Sequence, residues 1–150
     1  MKKSIALVLL LSLLLSGCNI FSSEETIVGQ WVYENGDRYY IIEADGTIFE
    51  VSTNGMGEYI TSVWVTEDGG YQTFDKWYKV GEEYHWINPT LTNDEFPNGW
   101  DRVVHIDGDT MVIGDNVYEW YRLPKWKWLS KKDIYYFTDD GDDRPLSELV

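Results

Sequence analysis

The sequence predicts an all-β fold, an antiparallel up-and-down β-barrel of about eight to nine short strands. Three observations point there. From Ile27 onward, short runs of β-branched and aromatic residues are separated by Asn-Gly and Asp-Gly pairs at near-regular spacing. Those pairs favour two-residue hairpin turns, because type I′ geometry needs positive φ at both central positions. No window before residue 125 sustains a 3.6-residue apolar period. Apolar residues make up 43% of the chain and aromatics 16%, enough to fill a core without disulfides. A meander this long leaves two sheet edges, and closure into a barrel hides both. A two-sheet sandwich is the rival. It would need long crossover connections, and the chain offers one long loop.

Residues 1–17 read as a secretory signal peptide. Met1-Lys2-Lys3 is a positive start, Ser4 to Leu15 is an apolar run, and Ser16 and Gly17 are small. The run is too short for a stop-transfer helix. Residues 18–26 form a tether, of which Asn19 to Glu25 is polar and lacks a packing pattern. The strand series then fills 27–123. Gln30 to Tyr33 runs into Asn35-Gly36, Arg38 to Ile42 into Asp45-Gly46, and Thr47 to Ser52 into Asn54-Gly55. Glu58 to Thr66 ends at Asp68-Gly69-Gly70, and Tyr71 to Val80 ends at Gly81-Glu82. Tyr84 to Ile87 leads into the long loop Asn88 to Gly99. Trp100 to Ile106, Thr110 to Ile113 and Val117 to Leu123 close the series. Residues 124–150 fall outside it as a C-terminal tail with one short helical turn expected near its end.

Charge narrows the function classes. Loss of 1–17 removes Lys2 and Lys3 and no acid, leaving ten cations against 26 acids, a formal charge of −16. Such a surface repels nucleic acid. It also resists anionic lipid unless a covalent anchor holds it there.

Leu15-Ser16-Gly17-Cys18 resembles a bacterial lipobox, in which the cysteine thiol is acylated and becomes the first residue of the mature chain. The resemblance implies a lipoprotein of the cell envelope, with membrane lipid as partner through Cys18. Two or three acyl chains hold firmly where one would not. Asn19, in place of aspartate, implies the outer membrane by the sorting pattern of Gram-negative lipoproteins. The plasma membrane of a Gram-positive cell is the alternative. An ordinary secreted protein with a chance cysteine is the plainer reading. Cys18 is the sole cysteine, so acylation removes disulfides, cysteine catalysis and thiolate metal sites together.

Gly29-Gln30-Trp31, on the first strand of an antiparallel meander, resembles the Gly-x-Trp that opens lipocalins and bacterial lipocalin-like lipoproteins. The resemblance implies that Trp31 plugs the closed end of the barrel and that an arginine from the last strand, here Arg122, stacks on it. Cation–π stacking over an indole favours Arg over Lys. Ile42 to Thr47 is similar to the second hairpin of such lipoproteins, and Ile106 to Met111 to their late one.

Alternation places Trp31 and Tyr33 on one face, joined by Tyr40 and Ile42, and by Phe49 and Val51. Val104 and Ile106, Met111 and Ile113, and Tyr118 and Trp120 complete the expected interior. So many inward rings leave a small cavity. Trp64, Trp77, Trp86 and Trp100 flank the long loop or sit on the middle strands. They are candidate contacts for a small apolar or amphipathic ligand, or core filling. Thr90 to Gly99 is the candidate lid or a plain connector.

The remaining features suggest little chemistry. His85 and His105 read as strand residues, since spacing supplies no set of metal donors. Asp139 to Asp143 does not match an EF-hand and reads as a solvated acidic turn. No Gly-x-Ser-x-Gly is present, no carboxylate pair stands out, and no cofactor is called for, so an enzyme is not expected. Arg122, Lys125, Lys127, Lys131 and Lys132 are half of the mature cations, interleaved with Trp126 and Trp128. They would meet anionic headgroups or pair with the protein's own acids. The expected function is therefore an envelope-anchored binding module. The alternative is an envelope interaction protein with a filled barrel, acting on another envelope protein.

Overall fold

A computed structural model describes residues 26–138 and 141–150. The leader, Cys18 and the tether up to Glu25 lie outside the described residues, as do Asp139 and Asp140. The chain forms β1 Gly29–Tyr33, β2 Arg38–Ile42, β3 Ile48–Thr53, β4 Tyr59–Thr61, β5 Trp64–Val65, β6 Tyr71–Gln72 and β7 Lys76–Val80. β8 Glu83–Asn88, β9 Trp100–Asp107, β10 Thr110–Ile113 and β11 Trp120–Arg122 follow, then β12 Ile134–Phe137 and β13 Asp143–Pro145. Short 3-10 turns occupy Lys125–Lys127, Lys131–Asp133 and Leu146–Glu148.

The all-β class holds, with thirteen described strands where the hairpin series suggested nine. Two expected strands each divide. Glu58 to Thr66 becomes β4 and β5, and Tyr71 to Val80 becomes β6 and β7. Eleven strands form one sheet in the order β13-β12-β4-β3-β2-β1-β11-β10-β9-β8-β7, while β5 and β6 pair by themselves. The first and last strands of the series meet, as β1 pairs with β11 in the register Trp31 to Arg122 and Tyr33 to Trp120.

The sheet does not close into a barrel, and it is not purely antiparallel. Its β7 edge curls back to the start of β3, but the two share a single bridge, Thr47 to Lys76. The Trp77 amide donates to Gly46 O at 2.9 Å and the Trp77 indole to Glu43 O at 2.7 Å. Closure stops there for a physical reason. A strand has two edges, and β3 gives one to β2 along its length and the other to β4 from Val51 onward. A closing strand therefore finds only the first residues of β3 free. Beyond the bridge a slot of about 230 Å3 opens, lined by Glu50, Ser52, Phe74 and Asp75 among others.

Two cores lie on opposite faces of this sheet. The inner one contains Trp31, Ile42, Ile48, Trp86, Met111 and Trp120. The outer one contains Ile41, Phe49, Val51, Ile134 and Leu146. The inward placement of Phe49 and Val51 is therefore corrected. Ile48 and Glu50 point inward, and their neighbours point out. A strand with apolar residues at both parities packs on both faces, and the outer face is covered by the C-terminal segment.

That segment is an integral layer. β12 adds parallel to β4, with Ile134 opposite Tyr59 and Tyr136 opposite Thr61, and β13 adds antiparallel to β12. Gln30, buried on β1, holds the approach. Its amide donates to Leu129 O at 2.9 Å and accepts from Leu129 N at 2.7 Å.

Candidate functional site

The curled sheet has two unlike ends. At one end Trp31 is fully buried and its indole N–H donates to Ile27 O at 2.9 Å. The Arg122 guanidinium lies 4.2 Å from the Trp31 ring centroid. It donates to Thr26 O at 2.7 Å and to Val28 O at 3.3 Å, and pairs with Asp109 at 3.6 Å. One planar group thus stacks on an indole and caps two carbonyls of the incoming chain, which a lysine could not do. Gly29 is needed beside it. Its φ of +140° suits glycine, and a Cβ there would sit 3.5 Å from the Arg122 guanidinium and 3.7 Å from the Trp128 ring.

The opposite end is open. A cavity of about 460 Å3 lies between the β1–β2 turn, the β10–β11 connection and the long loop after β8. Its walls are aromatic. Tyr40 packs against Trp86 with centroids 4.5 Å apart and against Trp120 at 4.0 Å. Tyr33 stands 5.1 Å from Trp120 and 5.6 Å from Tyr118. Trp86 forms the floor, 1% exposed, and Trp100 is a half-buried wall. The long loop contributes Leu91 to the rim, and Phe96 lies 4.1 Å from the Arg102 guanidinium, which also faces the Trp100 ring at 5.2 Å. The loop is thereby fastened beside the opening.

Polar groups converge on one side of this cup. Arg38 and Glu50 pair at 3.5 Å, both half open to water. Asp75 is half-buried in the gap between β6 and β7, and the Asn88 amide donates to it at 2.8 Å. Among the described residues Asp75 makes no ion pair. Burial pushes its carboxyl above the ordinary range, and the nearby Glu50 charge pushes the same way. Hydrogen bonds from Asn88 and the Trp86 side chain oppose the shift. Burial also raises the Tyr40 phenol well above its usual value, reinforced by Glu50 and Asp75. The cup combines aromatic walls with a polar, acidic corner.

Of the four tryptophans expected at a ligand site, Trp86 and Trp100 come together in the cup and the other two do not. Trp77 packs against the inner core with its ring 5.7 Å from Tyr84, away from the cup. Trp64 is 66% exposed on the β5–β6 hairpin, beside an outer groove with Phe74 and Phe137. Tyr33, Tyr40, Tyr118 and Trp120 were legible as inward rings. Arg38, Glu50, Asp75 and Asn88 carried no signal, because polar residues at inward parity look like ordinary strand polarity. Asp75 lay inside what read as one continuous strand.

Elsewhere, His85 on the outer face lies 3.1 Å from Asp101 and 3.0 Å from Glu83, with the Tyr78 ring stacked on it at 4.9 Å. The Tyr78 hydroxyl donates to Asp101, which pushes its phenol up to about 12. His105 is exposed. No group of three or more metal-ligating side chains gathers among the described residues. In the basic segment, Lys131 pairs with Glu43 at 2.6 Å and Arg122 with Asp109. Lys127 lies over the exposed Trp126 ring at 4.9 Å, and Lys125 lies 6.0 Å from Trp128.

Fold and site together define a class: a curled, mostly antiparallel mixed sheet, plugged at one end by a stacked Trp–Arg pair and open at the other as an aromatic cup. Comparison of the chain with protein-family models, with curated proteins and with solved structures found no match.

Proposed function

We propose that this chain is an envelope lipoprotein, anchored by acylated Cys18, that holds a small amphipathic ligand in the cup. The observation that carries the reading is the cavity itself. Its volume of about 460 Å3 falls within the range of roughly 300–1,000 Å3 that ligand sites occupy. Its aromatic walls carry a cluster of convergent polar groups, Arg38, Glu50, Asp75 and Asn88, the kind of group that orients a ligand in such sites. The plug of Trp31 and Arg122 supports the lipocalin-like resemblance, in which ligands enter at the unplugged end. Leader and lipobox support the anchor. Outer membrane is the preferred location, because Asn19 follows the cysteine, and a Gram-positive plasma membrane is the alternative.

A second reading is an interaction protein of the envelope that takes no small ligand. It draws on the outer groove of about 670 Å3, where Trp64, Phe74 and Phe137 are exposed. Exposed apolar patches of this kind mark protein contacts. One pair of variants separates the readings. Small amphiphiles should change the tryptophan fluorescence of the wild type saturably. Trp100→Ala should weaken that response and Trp64→Ala should leave it intact. No response in the wild type, with Trp64→Ala disrupting copurification of an envelope protein, would favour the second reading.

A further inference from the structure

We infer that the cup selects a cationic amphiphile, an amine or quaternary ammonium carried on an apolar body. The inference rests on the binding reading above and deepens it. The charges that face the cavity are Arg38, Glu50 and Asp75. Arg38 and Glu50 neutralise each other at 3.5 Å. Asp75 then remains as a half-buried carboxylate with neutral donors only, Asn88 at 2.8 Å and the Trp86 side chain. A carboxylate so placed lacks a counter-charge that the fold could have supplied. A ligand cation would provide it.

The walls agree with that sign of charge. Aromatic rings line the cup, Tyr33, Tyr40, Tyr118 and Trp100 among them, and ring π-density attracts ammonium groups more strongly away from water. The Arg102 guanidinium over the Trp100 ring at 5.2 Å is one such contact made by the fold itself. An anionic amphiphile such as a fatty acid would meet the reverse. It would meet Arg38 already paired with Glu50 and would place its own charge near Glu50 and Asp75. The cavity is also much larger than an ammonium head needs, so the ligand must bring an apolar body to fill the rest. The slot beside β3 and β4 shares Glu50 and Asp75 with the cup.

The test uses three probes with one tail: octyltrimethylammonium, octanoate and octanol, titrated by tryptophan fluorescence. The ammonium should bind at least about tenfold tighter than octanoate, the size expected of one desolvated cation–π contact or more. Asp75→Asn should remove about tenfold or more of the ammonium affinity and leave octanol unchanged, with the far-ultraviolet circular dichroism of the variant matching wild type. Trp100→Ala should weaken all three probes. If octanoate or octanol binds as well as the ammonium and loses affinity in Trp100→Ala, the cation inference is wrong and the cup still binds ligands. If Asp75→Asn leaves ammonium binding untouched, the assigned counter-charge is wrong. If none of the three binds, both the inference and the binding reading fall.

Discussion

At the residue scale, two side chains set the character of the two ends. Trp31 is buried without remainder and hydrogen-bonded through its indole, so truncation removes a large ring and leaves a void. Trp31→Ala should cost about 3–5 kcal/mol in urea unfolding. Arg122→Lys keeps the charge and loses the stacked plane and the two-carbonyl cap, so it should cost about 1–2 kcal/mol. A stability equal to wild type would show that the charge alone matters. Asp75 works in the other direction. Its native carboxyl is raised above 3.8 by burial, so the native state binds the proton more tightly than the unfolded chain does. Its favourable contribution is present below the unfolded value and is lost as pH rises through the native one. The groups facing it are Glu50, Arg38, Tyr40, Asn88 and Trp86. Asp75→Asn should therefore match wild type near pH 3 and become the more stable protein by neutral pH, read as urea midpoints across that range. A variant less stable than wild type at neutral pH would mean that the ionised carboxylate supports the fold. A residue that costs stability at a cavity wall is the pattern of a site kept for binding.

At the scale of elements, the informative one is β3. Ile48 and Glu50 face the cup while Phe49 and Val51 face the second core. The hairpin turns on either side were legible, because Asp45-Gly46 and the Asn54 turn carry their own backbone preferences. Parity was not. With apolar residues at both parities, alternation on one strand cannot choose the inner face, and a shift of one residue reverses every assignment. What decides it is β12, which lies far away in sequence and pairs parallel to β4. The run Ile134 to Phe137 has strand character, but nothing local names its partner. The same distant pairing takes the edge of β4 that a closing strand would have used. The C-terminal layer should therefore be part of the folding unit. Ile134→Ala and Leu146→Ala, both fully buried, should each cost about 2–5 kcal/mol, in a single transition shared with loss of the near-ultraviolet signal of the inner tryptophans. A separate early transition would mean that the layer is an appendage.

At the scale of the whole molecule, the two ends define a direction. The first described residue, Thr26, sits at the plugged end, where its carbonyl accepts from Arg122. It follows Cys18 by eight residues, at most about 28 Å of extended chain. Trp128 lies at that same end beside Gly29, with Lys125 near its ring, and exposed Trp126 with Lys127 over it is in the same 3-10 turn. Aromatic and cationic side chains together suit a bilayer interface. An anchored molecule would then rest its plugged end near the lipid and turn the cup to the aqueous side. In vesicles of brominated lipid, the acylated protein should lose emission that Trp126→Phe no longer loses. Equal quenching of the two would contradict this orientation. The plugged end was legible in the sequence because Gly29-Gln30-Trp31 opens the first strand and Arg122 ends the last strand of the meander, which the fold pairs with it. The acidic corner of the cup was not, because it is assembled from β2, β3, the β6–β7 gap and β8.

The central claim is that the cup holds a small ligand. Native mass spectrometry of the protein, extracted gently in its acylated form from its own host, tests it most directly. A ligand-holding cup gives a second, heavier species whose excess is one small molecule, released on denaturation and diminished in Trp100→Ala. Acylated protein with no bound small molecule, from wild type and variant alike, would contradict it.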